Sequence, residues 1–442
     1  MPGAACTKNY EKRGQPKMKL NYKRTVLVGF AFFLISAFWQ AYDTIVPLIL
    51  TNKFGLDQGP SGIIMSLDNI FAVFLLPIFG NVSDKLRTSY GRRTPFILGG
   101  TLVAVAAFSA LGFANTLPLF IGLLLVSLLA MATFRSPAVA LMPDVTVKPL
   151  RSKGNAVINL MGTAGGMIVL ILATVFKTSE EGKTDFSLYM ITVCGLMVAA
   201  LVVFLLTVRE NKWAAEMEAD TEKYHLDTES DERAANGRLS RSQFVSLLFI
   251  LASVALWYIG YNAVTSKYSV YASNIIDVPY ATTLLLANAA AVVTYIPVGM
   301  IASKIGRKKS ILAGVAILAV AFFGASFIEK GTSEIVMNIF FILAGIGWAT
   351  INVNSFPMVV ELAAAGDVGK YTGFYYTASM AAQVITPIFS GYLMDIFGMR
   401  EVFFPYATVF VALSFVTMCF VRHGDSKPTA PKSKLEAFAD ND

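Results

Sequence analysis

The chain has 442 residues, 55% of them apolar and only 15% charged, with a mean hydropathy of +0.60. A soluble domain carries about 25% charge, so a water-soluble globular fold is excluded. The net charge of +7 is scattered over separated short loops, which excludes a nucleic-acid-binding surface.

Residues 1–24 are polar and basic and contain no apolar core, which predicts a tail and no cleavable signal peptide. Twelve apolar runs follow, each long enough to cross a bilayer. They predict spans at 25–50, 61–82, 95–114, 118–142, 154–176, 186–208, 244–271, 281–302, 310–328, 334–361, 370–394 and 401–421. This is an all-α membrane protein with two six-helix bundles, 25–208 and 244–422. Residues 209–243 hold nine acids and six Lys or Arg; they read as a linker, with a short surface helix around Trp213–Tyr224. Residues 423–442 read as a polar tail. Of the 36 Lys and Arg, 29 fall on the side of the termini and the linker and five on the opposite side. The bias predicts that the termini and linker are cytoplasmic, in the cell membrane.

The three cysteines, Cys6, Cys194 and Cys419, show neither paired nor metal-ligand spacing. His225 and His423 fall in polar segments, so no histidine relay crosses the membrane. No nucleophile–base pair, cofactor loop or metal cluster is evident, and neither an enzyme nor a bound cofactor is expected.

The chain repeats itself. Gly80-Asn81-Val82-Ser83-Asp84 and Gly91-Arg92-Arg93 return as Gly299 to Ser303 and Gly306-Arg307-Lys308. Phe38-Trp39-Gln40-Ala41-Tyr42-Asp43 lies over Trp257-Tyr258-Ile259-Gly260-Tyr261-Asn262 at a shift of 219, and Asp144 over Glu361 at 217. An internal duplication of half the chain follows, giving pseudo-symmetric bundles. Two parallel repeats imply alternating access, with substrate held between them near the midplane.

The Gly80–Arg93 loop resembles the signature of the major facilitator superfamily (MFS). This copy has four more residues between Gly80 and Gly91 than the second has between Gly299 and Gly306; these and the following Pro95-Phe96-Ile97 resemble the sucrose-transporter, SLC45-like branch of the glycoside–pentoside–hexuronide group. Arg135-Ser136-Pro137-Ala138-Val139-Ala140-Leu141-Met142-Pro143-Asp144 is similar to that branch's fourth-helix motif. The resemblance differs in one place, since the branch's arginine follows the proline, where Val139 stands here. The paired aspartates of the sodium–melibiose branch have no clean match around Asp68. The resemblance implies proton-coupled import of a sugar or glycoside.

Ionisable groups within a bilayer mark pathways or coupling sites. Asp43 and Asp68 are alternative proton carriers, or respectively a packing acid and a helix-start acid. Arg135 wants an acid or sugar hydroxyls, with Asp43 as its natural partner and Asn352 as its repeat counterpart. Lys267 is expected to snorkel outward. Trp39, Trp257 and Trp348 fall mid-span, where interfacial belts do not place them. With Tyr42, Tyr258 and Tyr261 they offer flat faces to a pyranose ring, or pack between helices. Gln40, Asn159, Asn262, Asn352, Asn354 and Gln383 are candidate readers of hydroxyls. The resemblance assigns Asp84, Arg92, Arg93, Asp144, Arg307 and Glu361 to a cytoplasmic gate.

The expected function is proton symport of a small-molecule sugar, such as sucrose or maltose, by a monomer in a lipid bilayer. A drug or metabolite exporter and a sodium-coupled sugar symporter are the alternatives.

Overall fold

The computed structural model describes residues 19–147, 150–223, 240–362 and 368–425. Cys6, His225 and the outer parts of both tails lie outside the described residues.

The helices in chain order are α1 (Tyr22–Leu48), α2 (Gln58–Lys85), α3 (Thr94–Leu111), α4 (Leu117–Asp144), α5 (Arg151–Val175), α6 (Ser187–Thr207) and α7 (Glu210–Lys223). The second set is α8 (Arg241–Tyr271), α9 (Tyr280–Ile305), α10 (Arg307–Ala325), α11 (Glu334–Val360), α12 (Val368–Phe397) and α13 (Met399–Cys419). Among the described residues, eleven helices are long and apolar enough to cross a membrane. The remaining predicted span, 281–302, is α9, whose described apolar stretch is Tyr280–Tyr295. The surface helix predicted in the linker is α7.

Local chemistry sets the helix ends. The Asn21 side chain accepts from Arg24 N at 3.1 Å at the start of α1. Ser240 and Gln243 form a reciprocal capping box before α8. Gly306 and Gly398, at φ of 95° and 94°, end α9 and α12 in a backbone region that disfavours side chains. Apolar side chains such as Phe74, Leu206, Val293 and Phe327 are exposed, as a lipid-facing surface requires.

The packing repeats with the sequence. In the first half α1 packs on α5 and α6, and α4 on α2 and α3. In the second half α8 packs on α12 and α13, and α11 on α9 and α10. The halves meet where α2 crosses α12, α5 meets α9 and α1 meets α8.

On the face opposite α7, here the far face, the halves are joined. Asp395 of α12 accepts from the backbone N–H of Gln58 and Gly59, both at 2.7 Å, and so caps α2 from across the interface. Lys267 donates to the Gln58 carbonyl at 2.6 Å. Thr178 and Tyr280 hydroxyls pair at 2.6 Å, Asn274 donates to Asn52 at 2.6 Å, and Lys330 meets Glu181 at 2.7 Å. The α2–α12 crossing runs over glycines: a Cβ on Gly62 would collide with the Pro387 carbonyl, and one on Gly391 with the Gln58 carbonyl. The far face is therefore closed by backbone-to-backbone contact.

This corrects the expectation for Lys267. It does not snorkel; its side chain is 1% exposed. The Gln58 carbonyl satisfies the ammonium inside the protein.

Candidate functional site: a two-chambered cavity between the halves

Two chambers lie between the halves and share Trp39, Asp43 and Arg135. The larger, about 420 Å³, is lined by α1, α4, α5 and α9, with Ser36, Gln40, Asn159, Thr163, Asn288 and Tyr295 as polar groups. The smaller, about 280 Å³, is lined by α1, α2, α4, α8 and α12, with Asp68, Asn69, Asn262, Thr265, Ser266 and Gln383. Together they are of the size that holds a small organic ligand.

Helical phase explains what α1 contributes. Phe32, Ser36, Trp39 and Asp43 recur every three or four residues and so share one face. Tyr42 lies on another face. It is fully buried and donates to the Met65 carbonyl at 3.2 Å.

Arg135 stands over the Trp39 ring with its guanidinium carbon 5.6 Å from the centroid. It interacts electrostatically with both Asp43 and Asp68. The direct Asp43–Arg135 ion pair expected from the sequence does not form; the arginine is shared between two carboxylates. Asp68 accepts from the Asn69 amide at 2.8 Å. Trp39 Nε1, Asn159 Nδ2 and Asn262 Nδ2 are buried donors with no hydrogen-bond partner among the described residues. Buried donors are rarely left unmet in native structures, so these three suit the oxygens of a ligand.

The cavity thus brings together Trp39, Gln40, Asp43, Asp68, Arg135, Asn159, Asn262 and Gln383. Several other candidates lie outside the lining of these two chambers. Trp257 is 1% exposed in the core, and Asn354 donates to the Thr350 carbonyl of its own helix at 2.9 Å. Tyr261 stacks on Trp348 with centroids 3.8 Å apart, and Tyr258 meets the same indole edge-on at 5.4 Å. These rings pack on one another. Asn352 hydrogen-bonds Tyr295, a lining residue of the larger chamber, and so acts behind it. Asn288 and Tyr295 went unpredicted. The repeat held the signal for Asn288, which lies over Asn69 at the same shift of 219.

The residues expected at the gate cluster on the α7 face. Arg92 and Arg93 both bind Asp144, with Arg92 Nη2 at 2.5 Å and Arg93 Nε at 2.7 Å. Arg93 also binds Asp84 and donates to Ser83 at 2.5 Å. Burial works against its charge, but Asp144 and Asp84 outweigh burial and hold the Arg93 pKa above the usual arginine value. In the second half Arg307 binds Glu361 at 2.8 Å. These contacts each run within one half. They tie α2, α3 and α4 into a unit, and α10 to the end of α11, and do not join the halves.

Sequence reasoning missed the group that organises this cluster. Glu210, the first residue of α7, is 3% exposed. Its carboxylate accepts from the backbone N–H of Arg92 at 2.7 Å, Arg93 at 2.9 Å and Thr94 at 2.9 Å, and from the Thr94 hydroxyl at 2.7 Å. It is the cap of α3, supplied by the linker. Glu210→Ala strands three backbone donors, each costing about 1–3 kcal/mol when buried unmet. The melting temperature of the detergent-solubilised protein should fall, and Glu210→Gln, which keeps one acceptor oxygen, should recover part of it. An unchanged melting curve in Glu210→Ala would remove this role.

The sequence pattern of the Major Facilitator Superfamily matches residues 28–366, and again 279–440. The chain belongs to this superfamily of membrane transporters. It is 22% identical over 416 residues to an uncharacterized MFS-type transporter, MJ1317, of Methanocaldococcus jannaschii, covering 93% of this chain and 98% of that one. A 78-residue stretch is 36% identical to the sucrose transport protein SUT4 of Oryza sativa, 18% of this chain and 13% of that one. Among solved structures it resembles the nucleoside transporter NupG, with a TM-score of 0.66 at 13% identity over 90% of this chain and all of that one. It also resembles the inward-open xylose transporter XylE from E. coli, with a TM-score of 0.65 at 12% identity over 94% of this chain and 99% of that one. At these identities the structures establish the MFS fold alone.

Proposed function

We propose that this MFS transporter imports a neutral sugar or glycoside together with a proton, and that it belongs to the sucrose-transporter branch. The observation that carries the reading is the cavity: one guanidinium shared by two carboxylates, ringed by amides and hydroxyls, with an indole at the waist. Amides and hydroxyls match the alternating donors and acceptors of a sugar, and Trp39 offers a flat face to its C–H surface. The SUT4 stretch is consistent with the branch.

On this reading the proton loads on Asp43 or Asp68 and sugar fills the chambers. Protonating one carboxylate leaves Arg135 balanced by the other, so the loaded cavity is neutral and the halves close on it at low electrostatic cost. The α7 face is cytoplasmic, as the Lys and Arg bias predicts, both termini lie there, and the two six-helix halves of one monomer rock about the site. The helix ties at Asp84, Arg92, Arg93 and Asp144, and at Arg307 and Glu361, keep each half rigid as it moves.

The test is external pH in a lightly buffered suspension of de-energised cells expressing the protein, on adding sucrose, maltose and other sugars in turn. Alkalinisation with one sugar, absent in vector controls and lost in Asp43→Asn or Asp68→Asn, is expected. Labelled-sugar uptake that needs sodium and leaves external pH unchanged would replace the proton with sodium. No uptake of any sugar would sink the proposal.

A further inference from the structure

We propose that the same cavity also admits sugars bearing a primary amine and carries them without a co-transported proton. This rests on the symport reading above.

The argument is one of charge balance. The lining of the two chambers supplies two carboxylates, Asp43 and Asp68, against one guanidinium, Arg135. The polar lining groups of α5, α8, α9 and α12 are uncharged: Asn159, Asn262, Thr265, Ser266, Asn288 and Gln383, with the hydroxyls of Thr163 and Tyr295. The titratable groups that interact with the charged trio from the surrounding helices are Tyr42 of α1, Tyr261 of α8 and Tyr376 of α12, all neutral phenols. A neutral sugar therefore leaves one negative charge over, and a net charge sealed inside a membrane protein is costly. A proton removes it. A substrate ammonium removes it equally well, and an anionic substrate would double it.

The smaller chamber has the chemistry to receive the ammonium. An ammonium has three N–H donors and no acceptor. Asp68 lines this chamber, held by the Asn69 amide. The Ser266 hydroxyl spends its own hydrogen on the Asn262 carbonyl at 2.7 Å, which leaves its oxygen as an acceptor. Gln383 adds an amide oxygen from α12. Arg135 is drawn to Trp39 at the waist, between the two chambers. The chambers share Trp39, Asp43 and Arg135, so on this proposal a ring in the larger chamber sets its amine substituent across that shared wall, beside Asp68.

The charge moved per turnover is then the same for both substrate classes, but its carrier differs. A neutral sugar brings one external proton with it. An amino sugar brings its own charge and takes no proton from the medium.

The test uses the purified protein in proteoliposomes, reading substrate-induced current and external pH together, at a pH well below the amine's pKa. Matched pairs are applied: glucose with glucosamine, and sucrose with 6-amino-6-deoxysucrose. For a transported pair, the neutral member is expected to give current with alkalinisation. The amine is expected to give current of the same sign with the alkalinisation lost, and Asp68→Asn is expected to abolish the amine current. The proposal is overturned if the amine gives no current where its neutral partner does, or if it alkalinises the medium charge for charge. Silence from every neutral member overturns the symport reading, and this inference with it.

Discussion

If the proposed sugar symport holds, Arg135→Ala is expected to lower sugar uptake by more than about 100-fold. Removing one partner from a buried charge group costs about 3–5 kcal/mol, and every 1.4 kcal/mol is about a factor of ten. Without the guanidinium, Asp43 and Asp68 face each other across the cavity with no cation in its lining. On the proposed symport reading, two unbalanced carboxylates in the cavity leave the carrier unable to complete its cycle. Arg135→Lys should not restore uptake. A lysine is a point charge on a flexible stem, whereas the planar guanidinium lies over an indole while its charge acts on both carboxylates. Uptake of labelled sugar by cells with matched surface expression gives the measurement. More than half of wild-type uptake in Arg135→Lys would show that charge alone suffices and that the shared geometry has no role.

The second large effect is expected at Gly62. Its α-carbon sits against the backbone of α12 at Pro387, so valine there has no flexible neighbour to displace. Overpacking costs about 1–3 kcal/mol, and the cost falls only on the state in which α2 and α12 are in contact. A penalty of that size on one of two states shifts their ratio by about 5–150-fold. Gly62→Val should therefore reach the membrane, bind substrate from the far side and fail to carry it across. Cysteine labelling at Gln58 would report the far face, with faster labelling in Gly62→Val. Labelling at the wild-type rate, with transport intact, would mean that the crossing does not open during the cycle.

Much of the fold was legible because hydropathy is a long-range, redundant signal. A span of 20 apolar residues survives any local error, and the predicted limits of α6 and α13 fall within two residues of the observed helices. The cavity was partly legible. Asp43, Asp68 and Arg135 stood out because a charge within an apolar run has few explanations. What failed was rotational phase. Trp257 was grouped with the lining for its depth in the span, and Tyr42 because it accompanies the mid-span tryptophans; depth says nothing of the direction in which a side chain points. Successive residues of a helix, however, point about 100° apart. Anchoring the wheel on Asp43 would have kept Trp39 and Ser36 and dropped Tyr42. Lys267 and Glu210 were illegible for a different reason. Each is satisfied by backbone groups far along the chain, Gln58 for one and Arg92 to Thr94 for the other, and backbone groups leave no mark in a sequence.

The Asn274–Asn52 hydrogen bond has a further meaning. Each residue lies in a π-helical turn, Ile49–Lys53 at the end of α1 and Ala272–Ile276 at the end of α8. Corresponding places in the two halves thus touch each other, and the α2–α12 and α5–α9 contacts are likewise exchanged by the repeat. Contact between equivalent surfaces is the defining property of an isologous interface, the kind that two identical subunits form about a twofold axis. The junction between the halves is therefore what a homodimer of six-helix protomers would bury. Within one chain the two copies need not be identical. One kept the ionisable side chains Asp43 and Arg135, while the other holds asparagine at the matching positions, Asn262 and Asn352. A symmetric dimer would carry every such charge twice, and only a fused chain can set an odd number of charges in a shared cavity.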